Sequence, residues 1–239
     1  MTASKRLAGR IALVTGASRG IGRAVALGLA AEGAHVLLLA RTVGALEEVD
    51  DEIRALGASA TLVVLDLRDK AKVDALGPSL YQRWKKLDIL VGNAGVLGEL
   101  TPLGHVTGDL WNDVLLVNLT VNWRLIRTLD PLLRHADAGR AIFVTSGAAS
   151  GSPAYWGPYA VSKAGLEALV RTYAAEVEST PVRANLINPG PIHTAMRTKA
   201  FPGENPDSLA RPEDLVPLFV ELSLPTLTAN GEVFNFRDK

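Results

Sequence analysis

Residues 11–33 read IALVTGASRGIGRAVALGLAAEG, and this stretch decides the architecture. Ile11 to Thr15 is an apolar run of strand length. Thr15-Gly16-Ala17-Ser18-Arg19-Gly20-Ile21-Gly22 then forms a glycine-rich turn. Ile21, Val25 and Leu29 follow on one helical face until Gly33, a good helix-ending residue. A strand that feeds such a turn straight into a helix lets backbone approach a pyrophosphate at the helix N-terminus, where N–H groups are free. A glycine-rich turn by itself is a weak signal, and its position between strand and helix is what makes it a dinucleotide-binding candidate.

Working outward, apolar runs of strand length recur at Ile11–Thr15, His35–Ala40, Thr61–Leu65, Asp88–Val91, Ala141–Ser146, Val182–Asn188 and Glu232–Phe236. Longer segments of helical period separate most of them. The alternation predicts an α/β fold: a Rossmann-type, doubly wound, parallel sheet of seven strands with helices on both faces. At 239 residues, with no internal repeat and no low-complexity linker, residues 1–239 read as one domain. The most irregular stretch, Asn188 to Pro212, is rich in Pro and Gly, and its part from about 193 to 211 is a candidate lid. In such sheets ligands sit beyond the carboxyl ends of the strands, so the residues just after each strand carry most weight.

Twenty-five basic residues balance twenty-five acidic ones, without a block of like charge, so the footprint of a nucleic-acid or anionic-membrane binder is missing. A small-molecule partner is expected instead. There is no cysteine, hence no disulfide, thiolate nucleophile or thiolate metal site, which suits a reducing cytoplasm. The four histidines are scattered, and no metal site is expected. No apolar run approaches the roughly 20 residues that span a bilayer. The charged start, Met1 to Arg10, precedes an apolar stretch too short for a signal peptide, which predicts a soluble cytoplasmic protein.

The second strand ends at Leu39-Ala40-Arg41-Thr42, where an NAD site would place a carboxylate on the ribose hydroxyls. Arg41 instead offers a guanidinium fork suited to a 2′-phosphate, and Arg19 adds a second positive charge, so NADP(H) fits better than NAD(H). After the fifth strand, Ser146 is followed by Tyr159 and Lys163, one helical turn apart and on one face. A second Tyr-x-x-x-Lys pair, Tyr81 and Lys85, lacks an upstream strand-end serine and reads as an exposed helix face.

The order of these motifs resembles the short-chain dehydrogenase/reductase family over essentially the whole chain. Four further motifs agree: Asp66 after the third strand, Gly92-Asn93-Ala94-Gly95 after the fourth, Asn118 within Val117-Asn118-Leu119, and Asn188-Pro189-Gly190 after the sixth. The resemblance implies a catalytic tetrad of Asn118, Ser146, Tyr159 and Lys163. It also implies cofactor contacts from Gly16, Ser18, Arg19, Gly20, Ile21, Gly22, Arg41, Asp66, Leu67, Asn93, Ala94, Gly95, Tyr159, Lys163, Pro189, Gly190, Ile192 and Thr194. Hydride addition to a carbonyl leaves an alkoxide that needs a proton donor within hydrogen-bond reach, and Tyr159 would supply it. The Lys163 ammonium and an oxidised nicotinamide are expected to lower the phenol pKa, while Ser146 would bond the substrate oxygen. By resemblance, Lys163 also holds the nicotinamide ribose and Asn118 supports a water-linked proton path.

Two departures stand out. Gly92 replaces an asparagine common in the family, and the C-terminal Gly231-Glu232-Val233-Phe234-Asn235-Phe236 lacks the usual Asp-Gly-Gly tail, which favours a homodimer over a tetramer. The helices that carry Asn118 and Tyr159 are the family's usual subunit contact, to which Trp123 either contributes or belongs to the core. The stretches Ala195-Met196-Arg197 and Ala200-Phe201-Pro202 resemble bacterial 3-oxoacyl-carrier-protein-reductase-like oxidoreductases. Met196, Arg197 and Phe201, with Tyr155 and Trp156, are expected to shape the pocket. Two other classes compete. Gly16-Ala17-Ser18-Arg19-Gly20 formally matches a serine-hydrolase elbow with His193 downstream, but too little chain precedes the first strand for that fold. A non-catalytic NADP(H)-sensing module is the second, since fold does not settle function.

Overall fold

The apolar runs pair into a single sheet. The computed structural model describes residues 5–236. Its strands are β1 (Ile11–Thr15), β2 (His35–Ala40), β3 (Ala60–Val64), β4 (Ile89–Gly92), β5 (Arg140–Val144), β6 (Arg183–Asn188) and β7 (Val233–Asn235). They lie in the order β3-β2-β1-β4-β5-β6-β7, and every pairing is parallel. The helices are α1 (Gly20–Ala31), α2 (Val43–Ala55), α3 (Lys70–Trp84), α4 (Gly108–Leu115), α5 (Val121–His135), α6 (Ala148–Gly151), α7 (Gly157–Glu176), α8 (Ala195–Ala200) and α9 (Val216–Ser223).

Strand period sorts the apolar residues onto two faces. Ala12, Val14, Val36, Leu38, Val91 and Ile142 pack with α1, α2 and α9, while Leu13, Leu37, Leu39, Leu90 and Phe143 pack with α3, α5 and α7. Both faces are therefore dry, which is why the strands read as continuous apolar runs. Each fully buried Leu or Phe contributes roughly 1.5–3 kcal/mol by removal from water. Small residues set the closest helix contacts: a Cβ on Gly77 of α3 would lie 2.0 Å from the Thr128 carbonyl of α5. The strand order reverses between β1 and β4, and there the carboxyl ends open a crevice.

The sheet's opposite end is closed by charge rather than by apolar residues. Arg140, almost fully buried at the start of β5, donates to five carbonyls: Leu224 (3.0 Å), Gly139 (2.8 Å), Pro181 (3.1 Å), Pro225 (2.6 Å) and Leu227 (3.1 Å). Burial, reinforced by the nearby Arg10 and Arg183, pulls its pKa down to about 10. The buried Asp88 carboxylate pairs with Lys86 at 3.0 Å and accepts the Ile11 N–H at 2.9 Å.

The predicted strands are present; β1 and β2 have the expected bounds, and the other five differ by one or two residues at an end. The largest difference is at β5, expected to reach Ser146 and ending at Val144. Thr145 N–H still bonds Ile187, but the Ser146 hydroxyl accepts from Ala148 N–H, and this local turn outcompetes the ladder. β7 is likewise shorter than the expected Glu232–Phe236. Asp88 lies just before β4, although its backbone N–H bonds the Ile11 carbonyl and its carbonyl accepts from Arg140 N–H. Trp123 is not core: it is exposed on α5, flanked by the guanidinium groups of Arg124 and Arg127 at 5.5 and 5.2 Å from its ring.

Candidate active site

The crevice is built by the residues that leave the strand ends. Gly16, Gly20 and Gly190 have positive φ angles of 66°, 54° and 67°, which a side chain would strain. Gly22 is required for a different reason, since a Cβ there would sit 2.2 Å from the Gly16 carbonyl oxygen. Thr15 then locks the turn to the β4 loop. Its hydroxyl accepts from Asn93 N–H at 2.9 Å and Ala94 N–H at 3.0 Å, and its carbonyl accepts from the Asn93 amide at 2.9 Å. Among the described residues no side chain caps the first turn of α1, and that turn holds no acidic residue. Those N–H groups and the dipole fit a pyrophosphate. At the lid start, the Thr194 methyl lies 3.5 Å from where a Gly20 Cβ would be, and the Thr194 hydroxyl caps α8 by accepting from Arg197 N–H at 3.3 Å.

Arg19 and Arg41 are both exposed beside this turn. Arg41 lies 4.0 Å from Asp66. Asp66 also accepts Arg68 N–H at 3.0 Å, and Arg68 is bidentate to Asp113 of α4 at 2.7 and 2.9 Å. The Arg68 guanidinium holds the Asp113 carboxyl below the usual range. The Arg68–Asp113 pair was not foreseen, because nothing in the local pattern links residues 45 positions apart. Leu67 is buried, Ile192 is buried and bridges Ala210, and Pro189 is buried beside the exposed Gly190. Ser18 and Ile21 are half-buried in the turn.

On the other side of the crevice the four candidate catalytic residues come together. Tyr159 and Lys163 project from α7. Lys163 Nζ donates to the Val144 carbonyl at 2.7 Å and lies 5.8 Å from the Tyr159 ring centroid. A Cβ on Gly95 would be 3.7 Å from that nitrogen and 3.3 Å from Asn118 Oδ1, so the β4 loop closes over both. Burial lowers the Lys163 pKa to about 8. The Tyr159 phenol is pushed up by burial, and the Ser146 hydroxyl within its reach offsets only part of this. The expected lowering of the phenol pKa is thus reversed in the chain alone. Lys163 spends its proton on a backbone carbonyl, and desolvation of the ring governs.

Asn118 sits in a π-helical turn, Leu116–Thr120, that joins α4 to α5. Such turns concentrate at functional sites, and no sequence signal marked this one. The Asn118 side chain is committed to protein. Its Oδ1 accepts from Val96 N–H at 2.8 Å, and its amide donates to the Val96 carbonyl at 2.9 Å and to Ser162 at 3.0 Å. It ties the β4 loop to α7. Its own carbonyl accepts the Asn122 amide at 2.8 Å. Asn122 also accounts for Gly92: a Cβ at residue 92 would lie 2.7 Å from Asn122 Oδ1 and 2.4 Å from the Phe143 ring. The pair Tyr81–Lys85 is remote from this cluster. Tyr81 is exposed, and Lys85 lies just past the end of α3 with its ammonium over the Tyr81 ring at 4.7 Å.

A parallel sheet in this strand order, with a glycine cradle at its switch point and a Ser, Tyr and Lys cluster opposite, defines a Rossmann-type nucleotide-binding fold of the oxidoreductase class. The comparisons make this specific. A family profile described as short chain dehydrogenase matches residues 10–205. The uncharacterized oxidoreductase YciK of Escherichia coli K12 is 38% identical over 216 residues, 89% of this chain and 85% of that protein. The 3-oxoacyl-[acyl-carrier-protein] reductase FabG of Salmonella typhimurium is 35% identical over 188 residues, 79% of this chain and 75% of that protein. A crystal structure of a short chain dehydrogenase from Shigella flexneri 2a, complexed with NADP, superposes with a TM-score of 0.94 at 35% identity, covering 98% of this chain and 99% of that one. The chain belongs to the short-chain dehydrogenase/reductase family of oxidoreductases. Among the described residues no helix is long and apolar enough to cross a membrane, and no group of three or more His, Cys, Asp or Glu residues is arranged to hold a metal ion.

Proposed function

We propose that the protein is an NADP(H)-dependent oxidoreductase that interconverts a carbonyl and an alcohol, with Tyr159 as the acid/base. One observation carries the reading: the buried phenol of Tyr159, the Ser146 hydroxyl and the Lys163 ammonium meet beside an uncapped α1 N-terminus lined with glycine. When bound, the nicotinamide supplies or accepts the hydride. Ser146 positions the substrate oxygen, Tyr159 delivers the proton to it, and Lys163 stabilises the phenolate left behind. Asn118 is a positioning residue here, holding the β4 loop against α7.

The cofactor part is tested by the thermal midpoint of the protein alone, with NADPH and with NADH, since a ligand that binds only the native state raises it. NADPH is expected to give the larger shift; no shift with either, confirmed by direct binding, would remove the dinucleotide reading. Arg41 supports the preference by its exposed position beside the α1 turn. Losing one charge-assisted contact to a 2′-phosphate is worth about 1.5–3 kcal/mol, roughly 10- to 150-fold. Arg41→Asp is therefore expected to lower the NADPH/NADH ratio of kcat/KM by at least that factor, and an unchanged ratio would assign the discrimination elsewhere.

A further inference from the structure

The Tyr159 ring lies within an apolar cluster. Leu97, Ala148 and Ala160 pack with Tyr159, and Trp156, Met196 and Ala200 close over them. Trp156 stands edge-on to Tyr159 at 5.7 Å and tilts against Phe201 at 5.7 Å, so an aromatic wall runs from the proton donor to the lid. The neighbouring surface continues the same chemistry. Of ten exposed large apolar side chains among the described residues, Leu100, Leu103, Tyr155 and Phe201 belong to the segments that meet here. Thr101 N–H bonds the Tyr155 carbonyl at 3.1 Å, and the Leu103 methyl packs where a Gly157 side chain would go. Tyr155 is held at φ 73°, a conformation that costs a bulky residue energy. An apolar patch rimming a concave site marks a surface that receives an apolar ligand.

Three basic side chains on the elements around this cluster are already engaged. α8 carries two basic side chains. Arg197 is bidentate to Glu204 at 2.5 and 2.5 Å, with its guanidinium 3.8 Å from the Phe201 ring centroid. Lys199 donates to the Gly98 carbonyl at 2.9 Å, pinning the lid to the β4 loop. Lys163 is buried beneath Gly95. Arg197, Lys199 and Lys163 are thus each engaged with protein, and a substrate carboxylate or phosphate buried against this apolar cluster without a new cationic partner would carry a large cost.

We propose that this apolar cluster takes an uncharged carbonyl compound bearing an apolar ring, stacked on Trp156 and Phe201, and that the Arg197–Glu204 pair excludes anionic acyl substrates. The inference rests on the assignment of Tyr159 as proton donor. The test pair is ethyl benzoylformate and benzoylformate, which share ketone and ring and differ in charge. In each reduction NADPH delivers a hydride to the ketone carbon, a proton goes to its oxygen, and ethyl mandelate or mandelate forms with NADP⁺.

The ester is expected to exceed the acid in kcat/KM by about 100-fold or more, as the unpaired buried charge requires. Ethyl pyruvate, lacking the ring, is expected to fall roughly tenfold or more below ethyl benzoylformate. Glu204→Gln releases Arg197 and is expected to raise the acid's kcat/KM about tenfold, a gain that adding Arg197→Met abolishes. Binding of ethyl mandelate and mandelate to the NADP⁺ complex, read as a thermal midpoint shift, covers the case in which neither ketone turns over: only the ester should shift it. Equal use of ester and acid, preference for the acid, or binding of neither mandelate overturns the proposal and leaves the hydride-transfer reading standing. Full turnover by Tyr159→Phe, or failure to bind NADPH, removes that reading instead.

Discussion

Tyr159→Phe is expected to lower kcat about 100- to 10,000-fold, the usual worth of a positioned acid/base, while the NADPH-induced thermal shift persists. The substitution removes one hydroxyl and keeps the ring, so the Trp156 contact and the apolar cluster stay in place. What is lost is the proton donor at the substrate oxygen. Turnover within a fewfold of the parent would show that the proton comes from elsewhere and that the cluster of Ser146, Tyr159 and Lys163 is structural.

The same site fixes the direction of the pH dependence. Burial keeps the phenol protonated through the neutral range, so it stands ready as an acid for reduction. Lys163, lowered to about 8 by burial, is an ammonium below that pH and an amine above it. The kcat/KM for reduction reports groups of the free enzyme. It should be level near neutrality and fall above about pH 8, as the charge that supports the nascent phenolate disappears. Oxidation of the alcohol needs the phenolate and should gain as pH rises. A reductive profile that stays level through the alkaline range would take Lys163 out of the proton balance.

Arg140→Met is expected to cost about 3–5 kcal/mol of stability, the usual penalty for removing one partner from a buried charged arrangement. Methionine fills much of the volume but donates nothing, leaving five carbonyls without the guanidinium. Each unsatisfied buried acceptor costs about 1–3 kcal/mol, and relaxation of the 224–227 loop recovers part of the total. At roughly 2–4 °C per kcal/mol for a chain of this size, the thermal midpoint should fall on the order of 10 °C. Arg140→Lys, with three donors in place of a planar fork, should fall between the two. Since Arg140 lies at the sheet end opposite the crevice, kcat at low temperature should be unaffected. A midpoint within about 2 °C of the parent, less than one kcal/mol on that scale, would mean that water replaces the guanidinium without penalty.

Much of this protein was legible in the chain because short-range patterns carry it. Glycines between an apolar strand and a helical period predict the nucleotide cradle, and both-face burial predicts parallel strands. A spacing of four positions, one helical turn, places Tyr159 and Lys163 on one face of α7. Strand ends were less legible, as at Ser146, where a side-chain bond to the local backbone stops a ladder that the apolar run would have continued.

The sequence alone determined the family resemblance, the chain positions of the strands and, through that resemblance, the candidate catalytic residues, since each depends on residue type at a fixed spacing. Only the tertiary structure decided which polar groups lose water and which partners they find. It turned the Tyr159 pKa upward, gave the Asn118 side chain to Val96 and Ser162, and filled the space beside Gly92 with Asn122. It also joined Arg197 to Glu204, and Lys199 to a carbonyl 101 residues away. The physical reason is that periodicity records which face of an element is apolar. Desolvation and hydrogen-bond satisfaction depend on segments brought together only when the chain has folded.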